Sequence, residues 1–251
     1  IQRIDGPDKV TGETLYTADV VLPGMLTGKI LRSPHPHARI RGFDTTSAWA
    51  VPGVKAIVTG EDARGFYQGK VLRDLPVLCW DKVRYIGDRV AAVAAETPEA
   101  ADEALLLIDV DYEILPAVFD PMEAMNQSAP LLHDDMSAYD GAPTEFLAPD
   151  IHNGQTRLLW TKGDLEKGFA EADIVLTHSF SIPSRHQGYI EPFASVIAID
   201  DDGRIQAWCA SKAPFRARRQ MAQALGLDEE LIRVNVTSIG GDFGGKGDTR
   251  D

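Results

Sequence analysis

The 251-residue sequence predicts an α+β fold built in two parts. Three observations carry that prediction. Short runs of alternating or continuous apolar residues, the mark of strands, recur on both sides of a Pro-, Asp-, Asn-, Gly- and Ser-rich stretch. An alanine- and valine-rich run, Arg89–Ala95, leads straight into a well-signalled helix. In the second half a hairpin turn, a helix and a last strand deliver the chain into a loop with five glycines among residues 240–247.

The first part, residues 1–115, reads as mixed α/β. Leu26–Leu31 and Val54–Val58 are apolar runs, the second launched by the Pro52-Gly53 turn. Arg39–Phe43 alternates charged and apolar residues, as a half-buried strand does. Arg89–Ala95 has the continuous apolar character of a central strand. Thr97 can cap a following helix, Pro98 suits its first position and Glu99 its positive end, so a helix is expected to about Leu107. Ile108–Ile114 alternates again and closes the part near Leu115-Pro116. Residues 116–155 form a long connection, with one helical turn at Met122–Met125.

The second part, residues 156–251, regains order at Trp160. Asp164 caps a short helix through Glu171, and Ile174–Ile182 reads as a strand. Ala194–Ile199 and Arg204–Ala210 are strands joined by Asp201-Asp202-Gly203, a hairpin signal. Pro214–Leu225 is an amphipathic helix stopped by Gly226. Leu231–Ile239 is the final strand.

Composition excludes several functions. Asp and Glu number 38 against 25 Lys and Arg, giving a formal charge of −13. Such a chain repels phosphate backbones and anionic membrane surfaces, so neither nucleic acid nor membrane is expected as a partner. No apolar run approaches the roughly eighteen residues of a membrane-spanning helix. The two cysteines, Cys79 and Cys209, each lie beside a Trp in apolar sequence. They read as buried free thiols, which suits a cytoplasmic protein. A periplasmic one stays open, because the sequence starts at Ile1 without a visible natural start. It stops just after the glycine-rich loop, so the expectation is one piece of a longer functional unit.

The loop Gly240-Gly241-Asp242-Phe243-Gly244-Gly245-Lys246-Gly247 carries the most chemistry. Glycines permit positive φ and close backbone approach, and successive N–H groups in such a loop form a nest for an oxyanion. Gly240-x-x-x-x-Gly245-Lys246 matches a nucleotide-binding P-loop up to its last position, where Gly247 stands in place of the Mg²⁺-binding Ser or Thr. A P-loop also opens a helix within a sheet, and only four residues remain.

The same loop resembles the Gly-Gly-Gly-Phe-Gly-Gly-Lys segment of the xanthine dehydrogenase/aldehyde oxidase family, in its large molybdopterin-binding subunit. Four further segments are similar to that subunit in the same order: Arg3–Tyr16, Arg32–Ile40, Tyr85–Ala94 and His186–Pro192. The resemblance covers almost the whole chain. It implies an α/β hammerhead domain over residues 1–115 and the first, incomplete part of a molybdopterin-binding α+β domain over 156–251. It implies oxidative hydroxylation of an aldehyde or N-heterocycle with water as oxygen source, on a molybdenum–molybdopterin cofactor, as such or as the cytosine dinucleotide. Electrons would leave through an iron–sulfur subunit carrying [2Fe–2S] clusters and an FAD subunit. The remaining molybdopterin-binding region would complete the site.

By the same resemblance the cofactor-binding residues are Gly240, Gly241, Asp242, Phe243, Gly244, Gly245 and Lys212, with Gln187 and Glu191 as supports behind the pocket. The N–H groups around Phe243 and Gly244 would face the cofactor, and the Phe243 ring the substrate. The family's catalytic base, a Glu, has no counterpart in this chain, and no protein side chain here is expected to ligate a metal. Two positions depart from the pattern. Asp242 replaces the family's third glycine, and Lys212 stands where the family commonly has Gln. Gly247 replaces a Glu that contacts substrate in many members, so a purine read by that carboxylate is not expected. His35 and His37 form a pair without a third ligand nearby and read as a structural turn. Arg216, Arg218 and Arg219 read as a solvated helix face. Two alternatives remain at this point: a non-catalytic cofactor-binding or scaffold module, and, with less support, a P-loop nucleotide-binding protein.

Overall fold

The structure is a computed structural model that describes residues 3–69, 72–141, 147–148 and 150–247. Its first part opens on the short helix α1 (Gly6–Thr11) and continues through β1 (Thr27–Arg32), β2 (Ala38–Asp44), α2 (Thr46–Trp49) and β3 (Val54–Thr59). Three two-residue strands follow, β4 (Tyr67–Gln68), β5 (Leu75–Pro76) and β6 (Lys82–Val83). Then come β7 (Arg89–Ala95), α3 (Pro98–Leu106) and β8 (Asp109–Ile114).

As its unbroken apolar sequence requires, β7 is the centre of a three-stranded antiparallel sheet, with β1 and β3 on its flanks. Successive side chains of a strand point to opposite faces. Ala91 and Val93 face one way and pack with Ala48, Val51, Ala104 and Ile108, which puts α2 and α3 on that face. Val90 faces the other way and joins Ala38, Ile40, Cys79 and Val83. That second core lies against the sheet β6–β2–β8. The result is a helix–sheet–sheet layering. Ala91, Ala95, Ala101 and Ala104 are fully buried, their small side chains letting α3 lie close on β7. Thr97 caps α3, its hydroxyl accepting the Ala100 N–H at 3.1 Å, and Pro98 occupies the first turn.

Residues 117–155 hold the short helix α4 (Pro121–Ala124), capped by Asp120, but no other α-helix or named strand among those described. One side chain gathers three points of the connection. Asn153, at a left-handed φ of 55°, donates from Nδ2 to the carbonyls of Ala124 and Pro130 and accepts the Leu132 N–H at Oδ1. His37, from the first part, is buried and bonds the Pro116 carbonyl through Nδ1 at 2.6 Å, while His35 meets the Tyr112 ring edge-on.

In the second part α5 (Leu165–Ala170) is capped by Asp164. The hairpin β9 (Ser195–Ile199) and β10 (Ile205–Cys209) turns at Gly203, whose φ is 80°. The amphipathic helix α6 (Pro214–Leu225) crosses over to β11 (Ile232–Val236), which pairs with β10 in parallel. Gly226, at φ 65°, ends α6 as its sequence position predicts. The two parts touch. Residues Leu15–Thr17 run beside the end of β11, through a Ser238 N–H to Leu15 carbonyl bond of 3.1 Å and a Thr17–Thr237 hydroxyl pair at 2.7 Å.

One expected strand is absent. Residues 174–182 run without a named strand, and Ile174, Leu176, Phe180 and Ile182 are 75–88% exposed. An alternating run becomes a strand only when another edge satisfies its backbone, and none of the described strands pairs with it. No described helix is long and apolar enough to cross a membrane.

Candidate functional site: the glycine-rich loop and its brace

The end of β11 feeds residues 240–247 into a turn that alternates hand. Gly241, Phe243 and Gly244 have φ of 110°, 44° and 96°. Phe243 is one of two non-glycine residues with positive φ among those described, and its ring is 76% exposed. It therefore sits at the tip of the loop and plugs no core. A bulky side chain held in the left-handed region is strained, and such strain concentrates at working sites.

The glycines divide into two kinds. A Cβ on Gly240 would lie 2.6 Å from Glu191 Cβ, and one on Gly245 would lie 2.7 Å from Tyr189 Cε1 and 3.4 Å from Gln187 Cδ. These two are small because the segment 187–193 presses against them. A Cβ on Gly244 would meet nothing within 4 Å, so that position leaves open space in front of the loop.

Lys246 and Glu191 lock loop and segment together. Lys246 is fully buried, and its Nζ donates to Glu191 Oε2 at 2.5 Å and to the Glu191 carbonyl at 2.8 Å. The ammonium also stands 4.7 Å from the centre of the Tyr189 ring. Glu191 Oε2 takes the Gly240 N–H as well, at 2.7 Å, while Oε1 is buried without a partner among the described residues. A P-loop lysine must reach phosphate oxygens from the open side of its loop. Here that lysine points inward onto a carboxylate, which removes the nucleotide-binding alternative.

On the open side, Lys212 follows β10 and its Nζ pairs with Asp242 Oδ2 at 2.6 Å. Its backbone N–H bonds the Lys246 carbonyl at 3.0 Å. The carboxylate also accepts the N–H groups of Gly244 (3.0 Å) and Lys246 (2.6 Å), and the Asp242 carbonyl accepts that of Gly245 at 2.7 Å. The Lys212 ammonium first, then these amides, hold the Asp242 carboxyl below the usual carboxylate range. The N–H groups of Gly241, Asp242 and Phe243 have no protein partner among the described residues.

The loop thus brings together Gly240, Gly241, Asp242, Phe243, Gly244, Gly245 and Lys212, with Glu191 and Gln187 behind them. Tyr189 and Tyr16 escaped the sequence reading, and both stand where a Cβ on a loop glycine would meet them. A Tyr two residues from Gln187 was the available signal for the first. Arg218 and Arg219 both pair with Glu229 beyond α6, and Arg218 also lies against the Phe215 ring. Among the described residues no three His, Cys, Asp or Glu side chains gather as a metal site.

Two protein-family models match this sequence. Residues 11–116 match the aldehyde oxidase and xanthine dehydrogenase a/b hammerhead domain, and residues 149–250 match the molybdopterin cofactor-binding domain. Both the loop and its brace fall in the second. The chain belongs to the xanthine dehydrogenase/aldehyde oxidase family of molybdenum hydroxylases and corresponds to part of its large, molybdopterin-binding subunit. Among its relatives, a probable xanthine dehydrogenase component of Bacillus subtilis is 39% identical over 97% of this chain and 31% of that protein. The nicotinate dehydrogenase large molybdopterin subunit of Eubacterium barkeri is 32% identical over 97% of this chain and 54% of that protein. A crystal structure of the Cu,Mo-CO dehydrogenase superposes with a TM-score of 0.85 at 34% identity, covering 98% of this chain and 32% of that one. The chain thus spans about a third to a half of the length of these relatives.

Proposed function

We propose that the chain carries a cofactor-facing loop of an enzyme that hydroxylates an aldehyde or an N-heterocycle oxidatively, taking the oxygen from water. The observation that carries this reading is the loop at 240–247, braced by Lys246–Glu191 and open at Gly244. The residues fit a molybdenum–molybdopterin group. Three N–H groups at 241–243 lack an acceptor among the described residues, a glycine leaves room for close approach, and the half-exposed Lys212 ammonium adds a donor. When bound, the cofactor supplies the redox chemistry, removing two electrons from the substrate carbon as an oxygen is added.

The chain's own residues bind and orient. The N–H groups of Gly241–Phe243 donate to cofactor oxygens, as the molybdopterin itself or its cytosine dinucleotide. Lys212 donates beside them. Gln187 and Glu191 keep the loop in shape from behind. The Phe243 ring, carried at the loop tip, borders the substrate and excludes water from one side of it. The reading includes a base outside this chain, the remaining molybdopterin-binding region, [2Fe–2S] and FAD subunits, and a cytoplasmic location. The two unpaired thiols support the last.

Native mass spectrometry of the as-isolated protein with its partners, and metal analysis of the same preparation, test the reading. Molybdenum in a heteromeric assembly that transfers ¹⁸O from labelled water to an aldehyde or N-heterocycle is the expected result. An assembly that binds no molybdenum would overturn it, and one that holds the metal without turnover would favour the non-catalytic module.

A further inference from the structure

A nest made of successive N–H groups is built for an anion, and this loop already contains one. Asp242 Oδ2 takes the Gly244 N–H, Oδ1 takes the Lys246 N–H, and the Asp242 carbonyl takes the Gly245 N–H between them. Three successive amides, those of Gly244, Gly245 and Lys246, therefore donate to a single residue of the loop itself. Lys212, thirty residues earlier in sequence, closes on the same carboxylate at 2.6 Å and bonds the loop a second time through its own backbone. Lys212 and Asp242 are also two of the positions where the loop and its surroundings depart from the pattern the sequence resembles. They are one device, because each is the other's charged partner.

We infer that Asp242 is a positioning residue that serves as a built-in oxyanion: with Lys212 it fills the nest at Gly244–Lys246, sets the loop's shape before any ligand arrives, and leaves the amides of Gly241–Phe243 to an incoming cofactor. The inference rests on the proposed function for the identity of that ligand, and on the geometry alone for the filled nest. It has a consequence for selectivity. A free phosphate or the phosphate tail of a nucleotide finds the amides of Gly244, Gly245 and Lys246 already taken, and it meets a carboxylate there instead.

Hydrogen–deuterium exchange read at single amides by mass spectrometry tests this on the purified full chain. In the wild type the Gly244 and Lys246 amides should be protected, and inorganic phosphate at millimolar concentration should change neither rate. In Asp242→Gly both should exchange at least tenfold faster, and phosphate should restore part of the protection by entering the emptied nest. Asp242→Asn is the milder variant. It keeps an acceptor for Lys246 but turns an amide group toward Lys212 and Gly244, so protection should fall at Gly244 and persist at Lys246. Unchanged protection in both variants, or phosphate protecting the wild type as well as the glycine variant, would overturn the inference. A structural loss of the whole loop would instead speed exchange at Gly240 too, without rescue by phosphate, and would also overturn it. Molybdenum content of the wild-type preparation reads the proposed function separately. Metal-free protein with a protected loop defeats that function and leaves this inference standing.

Discussion

Replacing Lys246 by Met removes one half of a buried ion pair and nothing else of comparable size. The wild-type ammonium is fully buried and Glu191 nearly so, with a side chain 9% exposed. In Lys246→Met the Glu191 carboxylate keeps the Gly240 N–H and loses its one cation among the described residues. Breaking such a pair from one side costs about 3–5 kcal/mol, because the remaining charge stays buried and uncompensated. For a chain of this size that lowers the melting temperature by roughly 6–20 °C. The variant Glu191→Gln strands the ammonium instead, though the Glu191 carbonyl still accepts from it, so its cost should be smaller. Combining the two substitutions removes both charges, and the double variant should be more stable than Lys246→Met alone. Urea denaturation of all four proteins closes the cycle. A loss below about 1 kcal/mol in Lys246→Met, or strict additivity in the double variant, would refute a brace made by this pair.

Other perturbations address other parts of the molecule. Phe243→Ala should leave stability within about 0.5 kcal/mol, since the ring is exposed, while turnover by the complete enzyme drops at least tenfold; unchanged kinetics would remove Phe243 from the substrate's surroundings. Phe243→Gly relieves the left-handed strain and should melt no lower than the wild type. Burial, aided by the nearby Asp88 carboxylate, pushes the Cys79 thiol far above its usual range, so Ellman's reagent should label it only after unfolding. The Asp242 carboxyl lies below its ordinary range in the folded protein, so its contribution to stability is present above about pH 4 and is lost as pH falls further. Asp242→Asn should flatten the acid limb of the stability curve below about pH 5, measured by denaturation midpoints.

The elements that could be read from sequence are those whose signals are local. Thr97-Pro98 starts α3, Gly226 stops α6, and an apolar run with no charged interruption after Arg89 makes β7 a central strand; all three need only neighbours in sequence. The glycine-rich loop was legible for the same reason. The brace behind it was not, because Lys246 and Glu191 are 55 residues apart and nothing in either neighbourhood names the other. The pairing of Lys212 with Asp242 was hidden the same way, although each was visible as a departure from a pattern. The run at 174–182 failed for a different reason: alternation shows that a segment can be a strand and says nothing of where its second edge is. The stretch 117–155 reads as a plain connection, because the side-chain bonds that tie it, from Asn153, His152, Lys82 and Arg84 among others, leave no periodic trace.

That Asn is followed by glycine, the neighbour that offers least steric resistance when a backbone nitrogen attacks a side-chain amide. Loss of ammonia at Asn153 would convert Nδ2, which donates to the carbonyls of Ala124 and Pro130, into an oxygen facing two oxygens. Both bonds would become repulsions, and an isoaspartyl product would add a methylene to a turn already at φ 55°. The native hydrogen bonds hold the carboxamide away from that reaction, so the segment between the two parts carries its own chemical clock: it ages slowly while folded and quickly once opened.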